Sequence, residues 1–294
     1  MRSASTSRLA IVVLTLNEEV NLQTCLESLR GLQCEIYVVD SGSTDGTVAT
    51  AKRAGATVVE HPFETHARQW AWALKNLPIS AEWVLALDAD QRITSELRTE
   101  IRQLFQDGDR RLGDLEGLYV KRRQVFRGQW IRHGGYYPKY MLKLFRKASV
   151  HTDEDDLIDH HFYVSGNVAN LECDIIEDNQ KENDMSFWIE KHSRYAEPLA
   201  REEYLRRTNL ASWPIKPDLF GNPDQRVMWM KRLWYRLPLY IRPFGYFVYR
   251  YVFRLGFLDG KQGFVFHFMQ ALWYRLLIDI HIDEMQARDK RQDG

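Results

Sequence analysis

Four short apolar runs punctuate the first third of the chain: 9–14 (LAIVVL), 35–40 (EIYVVD), 56–60 (ATVVE) and 83–88 (WVLALD). None keeps a strict apolar–polar alternation, the pattern of strands covered on both faces. Behind them apolar residues recur at helical spacing: Leu22, Cys25, Leu26 and Leu29, then Ala67, Trp70, Ala71 and Leu74, then Leu97, Ile101, Leu104 and Phe105. Strand followed by helix, repeated, predicts an α/β fold with a mostly parallel sheet flanked by helices. Such a sheet collects its ligands at the carboxyl ends of its strands.

Those ends are polar in a consistent way. The first run leads into TLNEE, the second into DSGSTDGT and the fourth into DAD. In DSGSTDGT two glycines and small hydroxyl residues enter a helix, so the backbone is able to approach a ligand and the helix start favours an anion. The same loop also reads as a turn with a helix cap. It is neither a P-loop nor a Rossmann fingerprint, since the chain contains no GxxxxGK[ST] and no GxGxxG. Asp40 is either a partner for a sugar or base edge or a turn former that ends the strand. Asp88 and Asp90 stand two apart on an extended segment and so face one side. Two carboxylates that close repel unless a cation or proton lies between them. Mg²⁺ or Mn²⁺, hard and oxygen-seeking, suits the pair and completes its shell with water and phosphate.

Composition narrows the class. With 294 residues, 45% hydrophobic and 27% charged, the chain is a folded protein of one large domain or two smaller ones. Forty basic and forty acidic residues cancel, which leaves no global attraction to polyanions. Cys25, Cys34 and Cys173 lie far apart without a CxxC, as expected of reduced thiols in a cytoplasmic setting. The apolar stretch near the N-terminus is too short for a secretory signal core or a membrane span. The charge is uneven, however. From Arg226 to Arg275 nine basic residues (Arg226, Lys231, Arg232, Arg236, Arg242, Arg250, Arg254, Lys261, Arg275) face the single acid Asp259, amid RLWYRLPLYIRPFGYFVYRYVFRLGF. Phe244, Phe247, Val248, Tyr251, Val252 and Leu255 fall on one helical face, with Arg242, Arg250 and Arg254 elsewhere. A basic, aromatic, amphipathic segment of this kind suits the interface of an anionic membrane. The bland reading is packing on the domain or on another copy. No nucleic-acid-binding motif accompanies the arginines.

VVLTLNEEVNLQTCLESL, EIYVVDSGSTDGT, AGATVV and WVLALDADQRI, in this order, resemble the nucleotide-binding half of glycosyltransferase family 2, with the GT-A fold, over about residues 8–105. FRGQWIRHGGYYPKYMLKLFRK, DLIDHHFYVSG, FWIEKHSRYA and LGFLDGKQGF extend the likeness to the branch of bacterial lipopolysaccharide core glucosyltransferases and exopolysaccharide glycosyltransferases.

The resemblance implies that Thr15, Asn17, Glu18, Asp40 and Ser43 line the donor pocket and that Asp88, Ala89 and Asp90 meet the diphosphate, with Asp88 and Asp90 on a divalent metal, Mg²⁺ or Mn²⁺. Arg68 takes a basic donor-side place or is a surface charge. Family members generally invert the anomeric centre, which requires one base. The acid- and histidine-rich HTDEDDLIDHHF supplies the candidates: Asp159 first, then Asp156, then His160, where relatives commonly carry a His-Glu pair; the same stretch also reads as an exposed acidic loop. Trp130, Arg132 and His133 are acceptor-side candidates or a packed corner. Lys191, His192 and Arg194 approach phosphate or form a solvated helix face.

These readings predict a glycosyltransferase domain at 1–206, a linker at 207–225, amphipathic membrane-associating helices at 226–285 and a tail at 286–294. The partners expected are a nucleotide-sugar donor, with UDP favoured by the family, a lipid-linked glycan acceptor, an anionic membrane surface and a possible second copy through the C-terminal helices. The setting is peripheral, at the cytoplasmic face of a bacterial inner membrane. The rival classes are a sugar-phosphate nucleotidyltransferase, whose Gly-rich activation loop TLNEEVNL does not match, and a non-catalytic membrane-bound binder of nucleotide sugars.

Overall fold

The computed structural model describes residues 7–106, 109–152, 161–208, 213 and 215–292. The elements of the first two-thirds are β1 (Leu9–Thr15), α1 (Glu19–Ser28), β2 (Glu35–Asp40), α2 (Thr47–Arg53), β3 (Thr57–Glu60), α3 (His66–Asn76), β4 (Trp83–Asp88), β5 (Gln91–Ile93), α4 (Ser95–Gln106), α5 (Asp109–Leu112), β6 (Leu115–Phe126), β7 (Gln129–Ile131), β8 (Lys139–Arg146), β9 (His151–Thr152), β10 (Phe162–Tyr163) and β11 (Asn167–Glu177). The chain divides into two compact units, one built from residues up to Val125 with Pro138–Gln180, the other from Phe126–Tyr137 with Lys181 onward.

The first unit carries the main sheet in the order β3, β2, β1, β4, β8, β6, β11, β5. β3, β2, β1 and β4 are parallel, as their unbroken apolar runs predict. Beyond β4 the sheet becomes mixed: β8 runs antiparallel to β4 and β6, and β5 antiparallel to β11. The expectation of a mostly parallel sheet therefore holds for its first half only, because the strands after β4 return without a helix between each of them.

Both faces of the sheet are covered, which explains why β1 shows no alternation. Its Leu9, Ile11 and Val13 enter one core with Leu22, Cys25 and Leu26 of α1 and Leu97, Ile101 and Leu104 of α4. Ala10, Val12 and Leu14 enter the other, with Trp70 and Ala73 of α3. Each fully buried aliphatic or aromatic side chain contributes roughly 1.5–3 kcal/mol.

The second unit holds β7 and the helices α6 (Met185–Arg207), α7 (Pro223–Trp234), α8 (Ile241–Val248), α9 (Gly260–His267) and α10 (Tyr274–Gln292). Asn222 and Gln225 close a reciprocal cap at the start of α7, with Pro223 at its first position. One core gathers Phe126, Ile131, Tyr136, Trp188 and Phe266, and another gathers Ala196 and Ala200 of α6 with Tyr274, Ile278 and Ile282 of α10. Among these helices lies a buried ionic cluster. Arg242 is bonded to Asp279 through two guanidinium nitrogens and reaches Glu203 Oε1 at 2.5 Å, and the side chains of Arg242 and Asp279 are fully buried.

The continuous amphipathic face expected from Phe244 to Leu255 is interrupted. α8 stops at Val248, a π-helical turn covers Tyr249–Phe253, and Leu255 takes φ +59°. Gly256, which follows, is tightly packed: a Cβ there would meet the His267 ring at 2.6 Å and the Arg250 carbonyl at 2.9 Å. Phe244, Val248, Val252 and Leu255 are exposed, while Phe247 and Tyr251 stack on each other at 5.4 Å. Arg242 is not a surface charge, because its partners are internal. Arg250 is likewise engaged, donating to the Gly134 carbonyl at 2.6 Å and lying 3.8 Å over the Tyr136 ring.

His267 is fully buried, and burial, reinforced by the Arg250 charge, lowers its pKa from 6.5 to about 4. His133 adds to this lowering and Asp259 opposes it. The folded state thus holds a neutral ring where the unfolded chain takes a proton. Stability present above pH 6.5 is therefore lost as pH falls toward 4, at up to about 1.4 kcal/mol per depressed pH unit. Urea unfolding of the parent should show its midpoint falling between pH 6.5 and 4.5, with a shallower fall for His267→Gln; equal slopes would count against this assignment.

Candidate functional site

The register of the sheet sets three polar strand ends level. Thr15 lies opposite Asp40, and Leu14 opposite Asp88. Thr15 is buried and donates through Oγ1 to Asp40 Oδ1 at 2.9 Å. The Asp40 carboxylate also accepts from the backbone N–H groups of Gly42 (3.1 Å) and Ser43 (2.8 Å) and from Ser43 Oγ (2.6 Å). Asp40 therefore organises the turn that follows β2, and Gly42, at φ +90°, supplies the backbone conformation this turn requires.

The TLNEE and DSGSTDGT loops are tied to each other. The Asn17 N–H donates to Ser43 Oγ at 2.8 Å, and Asn17 Oδ1 accepts from the Thr44 N–H at 2.8 Å. The Glu18 N–H donates to Thr47 Oγ1 at 2.7 Å. Glu19 accepts from the Gly46 N–H at 2.9 Å and donates through its own N–H to Asp45 at 3.2 Å. Asn17 holds φ +54°, an uncommon conformation tolerated best by Asn and Gly, and these reciprocal bonds hold it there. Of these, Glu19 and Asp45 were not singled out in the sequence; their spacing carries no signal until the two loops meet.

Asp88 ends β4 and Ala89 is buried behind it. Lys143, from the middle of the apolar β8, is buried and places Nζ 3.0 Å from Asp88 Oδ2. The Asp88 N–H donates to Gln91 Oε1 at 3.2 Å, Gln91 Nε2 donates to Glu177 at 2.8 Å, and Glu177 accepts from Arg122 at 3.0 and 3.1 Å. Burial pushes the Glu177 carboxyl up, but Arg122 and the Gln91 amide overcome it and its pKa is lowered. The Asp90 carbonyl accepts from the Asp178 N–H at 3.0 Å, and Arg92 pairs with Asp178 at 3.0 Å. A small cavity of about 50 Å³ adjoins Asp90, bounded by Asn21, Cys25, Arg92, Asp178 and Gln180. The Cys25 thiol is held in its neutral form by burial and by the nearby Asp90 and Asp88 charges. All three cysteines are free thiols. A single lysine in the apolar run YMLKLFR was the available clue to Lys143; Gln91, Arg122 and Glu177 had none.

Arg68, in the first turn of α3, pairs with Glu64 at 2.6 Å with both side chains mostly exposed. In the second unit, the Arg132 guanidinium lies 4.7 Å over the Trp130 ring. His133 is clamped by buried Asp259, Nδ1 to Oδ1 at 2.7 Å and N–H to Oδ2 at 2.8 Å. Gly134 and Gly135 follow at φ +67° and +74°, and a Cβ on Gly134 would enter the His267 ring. Lys191 and Arg194 are in ion pairs with Glu182 and Glu190, and His192 stacks on Trp188 with burial lowering its pKa to about 4. Asp156, Asp159 and His160 lie outside the described residues.

Among the described residues no group of three or more His, Cys, Asp or Glu side chains is arranged to hold a metal ion. Asp88 and Asp90 are two carboxylates on one short segment, a pair that a hard cation such as Mg²⁺ or Mn²⁺ accepts while filling its other positions with phosphate and water oxygens.

Comparison with known proteins agrees with this arrangement. The Glycosyl transferase family 2 profile matches residues 10–161. The lipopolysaccharide core biosynthesis glycosyltransferase LpsC of Rhizobium meliloti is 32% identical over 276 residues, 90% of each chain. An uncharacterized glycosyltransferase of Rickettsia conorii is 35% identical over 105 residues, and the chain spans only 36% of that relative's length. Among solved structures, the mannosyltransferase PcManGT from Pyrobaculum calidifontis, captured with GDP-Man and Mn²⁺, superposes with a TM-score of 0.52 at 14% identity, covering 95% of this chain and 88% of that one. The fold is accordingly GT-A-like, a mixed sheet flanked by helices. With the family profile spanning half of the chain and LpsC aligned along nearly all of it, the protein belongs to glycosyl transferase family 2.

Proposed function

We propose that this glycosyltransferase moves a sugar, with inversion at the anomeric carbon, from a nucleotide-sugar donor to a lipid-linked glycan in bacterial cell-surface polysaccharide or lipopolysaccharide synthesis, at the cytoplasmic face of the inner membrane. The observation that carries the donor side is the level set of strand ends at Thr15, Asp40 and Asp88, with two interlocked loops between them. A uridine diphosphate sugar is the donor to test first. LpsC, alike over most of its length and named for lipopolysaccharide core biosynthesis, supports the acceptor class.

In this reading the loop around Asn17, Glu18 and Ser43 holds the nucleoside, Arg68 approaches the donor from the start of α3, and Asp88 and Asp90 hold the divalent metal beside Ala89. When bound, the cation supplies positive charge against the diphosphate as it departs. A carboxylate, Asp159 first and then Asp156, with His160 third, takes the acceptor hydroxyl's proton. The acceptor oxygen bonds to the anomeric carbon as the carbon–oxygen bond to the diphosphate breaks. Trp130 and Arg132, stacked together, and His133, fixed by Asp259, offer an aromatic and basic surface to the acceptor.

The membrane part rests on the second unit. No helix among the described residues is long and apolar enough to cross a membrane. Between residues 226 and 280 both acids, Asp259 and Asp279, are buried, whereas Arg232, Arg236, Arg254 and Lys261 are exposed. Large apolar side chains share that exposure, Phe253 at 73%, Leu258 at 56% and Phe244 at 54%. Exposed apolar and basic side chains without an exposed acid among them complement anionic lipid, at about 1 kcal/mol per basic residue near it.

The test is nucleotide release by purified protein with Mn²⁺ or Mg²⁺ over UDP-, GDP- and dTDP-sugars, with and without bacterial lipid extract. Release from one donor that requires metal and rises with lipid is the expected result; release that ignores lipid would remove the acceptor assignment. Sedimentation with anionic vesicles at low salt checks the membrane surface, and a Phe253→Glu/Leu258→Glu variant should stay in the supernatant. Equal retention of both proteins would leave packing against a second copy as the reason for these exposed side chains.

A further inference from the structure

Lys143 is the residue that interrupts β8. Its neighbours Leu142 and Leu144 pair with Tyr119 and Leu118 of β6, so two consecutive β6 residues face β8 positions that lie two apart, and Lys143 is the extra residue of a β-bulge. A bulge re-aims one side chain out of the pleat, and bulges concentrate next to functional sites. Here the re-aimed group is an ammonium in an otherwise apolar strand: its side chain is 5% exposed and lies 3.0 Å from Asp88, whose side chain is 30% exposed. Burying a lysine is costly unless a carboxylate compensates it, and neither local sequence nor the sheet requires a lysine at this place.

We infer that Lys143 is a positioning residue for the DAD segment, a resident cation that fixes and neutralises Asp88 from inside the sheet before donor and metal arrive. This inference rests on the proposed reading of that segment as the donor-diphosphate site. Two features give it direction. Asp88 is held at two points, by Lys143 through its carboxylate and by Gln91 through its backbone N–H. Gln91 in turn belongs to the Glu177 and Arg122 network, so the acid at the end of β4 is anchored to β5, β8, β6 and β11 at once. The charge of Asp88 is thereby matched within the sheet itself. A divalent ion meets a segment whose negative charge has been reduced by one, so its affinity is moderated and diphosphate release after transfer is not hindered by an over-tight metal.

The decisive measurement is Mn²⁺ affinity of the full chain, by electron paramagnetic resonance titration without donor, beside turnover at saturating Mn²⁺. Lys143→Gln keeps a hydrogen-bond donor but removes the charge. It is expected to bind Mn²⁺ at least about threefold more tightly, with turnover at least about tenfold lower, since about 0.7 kcal/mol of added attraction corresponds to threefold in affinity. Lys143→Arg keeps the charge and should bind Mn²⁺ as the parent does. Should Lys143→Gln not fold, Lys143→Met, which removes the charge and keeps the length of the side chain, serves in its place. It should likewise bind Mn²⁺ at least about threefold more tightly than the parent. Unchanged or weaker Mn²⁺ binding in the variant that folds, or tighter binding in Lys143→Arg, would overturn the inference while leaving the transferase reading intact. A parent that turns over nucleotide sugar without binding Mn²⁺ would overturn it as well, and a parent that does neither would remove both readings.

Discussion

Asp90→Asn is expected to lower the rate of sugar transfer at least about 100-fold at a metal concentration that saturates the parent, the scale typical of removing one electrostatic partner of a reacting group. The substitution keeps the size and backbone placement of the side chain. Its carbonyl hydrogen bond from the Asp178 N–H is a main-chain contact and survives. What disappears is a formal negative charge next to Asp88, and a hard divalent cation prefers a carboxylate to an amide. The decrease should appear in kcat more than in nucleotide affinity measured without metal, because in the proposed reading Asp90 acts on the donor through the cation. Steady-state kinetics across a Mn²⁺ series decide the matter. A variant that keeps more than a tenth of parental turnover would take Asp90 out of the metal site.

Asp279→Ala is expected to destabilise the second unit by about 3–5 kcal/mol, the cost of leaving one member of a buried ion pair without its partner. Asp279 accepts from Arg242 and from the Tyr240 N–H at 2.8 Å, and it shares Arg242 with Glu203. Burial raises the Glu203 carboxyl, with Arg242 acting against it. Without Asp279 the fully buried guanidinium keeps that weakened carboxylate and the uncharged Trp234 carbonyl at 3.2 Å. Replacing all three members of the cluster, as in Glu203→Gln/Arg242→Met/Asp279→Leu, should recover most of the loss, since uncharged side chains of similar volume often match a buried ionic group. Chemical denaturation reports both variants. A loss below about 1 kcal/mol for Asp279→Ala would mean that the cluster is hydrated.

The parallel half of the sheet and the DAD segment were legible because each is a local pattern: an apolar run followed by a helix period, or two acids two residues apart. The four strands fall within a residue of their predicted spans. What sequence could not supply depends on chain segments meeting from afar. Lys143 reads as an anomaly in an apolar strand until β8 is seen beside β4. Arg242 was counted with the surface cations because nothing near it in sequence announces Asp279, which lies 37 residues away. His133 reads as an acceptor-side candidate with no sign of its clamp by Asp259, which appears only when residues 126 apart are brought together. The single helical face drawn through Phe244 to Leu255 is altered for a different reason: a 3.6-residue period does not anticipate the π-helical turn at Tyr249–Phe253 or the left-handed backbone of Leu255.

The second unit takes one of its strands from a segment, Phe126–Tyr137, that the chain visits long before it reaches the helices. Phe126, Ile131 and Tyr136 share a core with Phe266, and Gln129 donates to the Asp259 carbonyl at 2.6 Å. Recombination between relatives therefore has no clean breakpoint after the first unit. A chimera that exchanges only the C-terminal helices inherits a mismatched core, whereas one that carries residues 126–137 along with 181–292 transplants a self-consistent module.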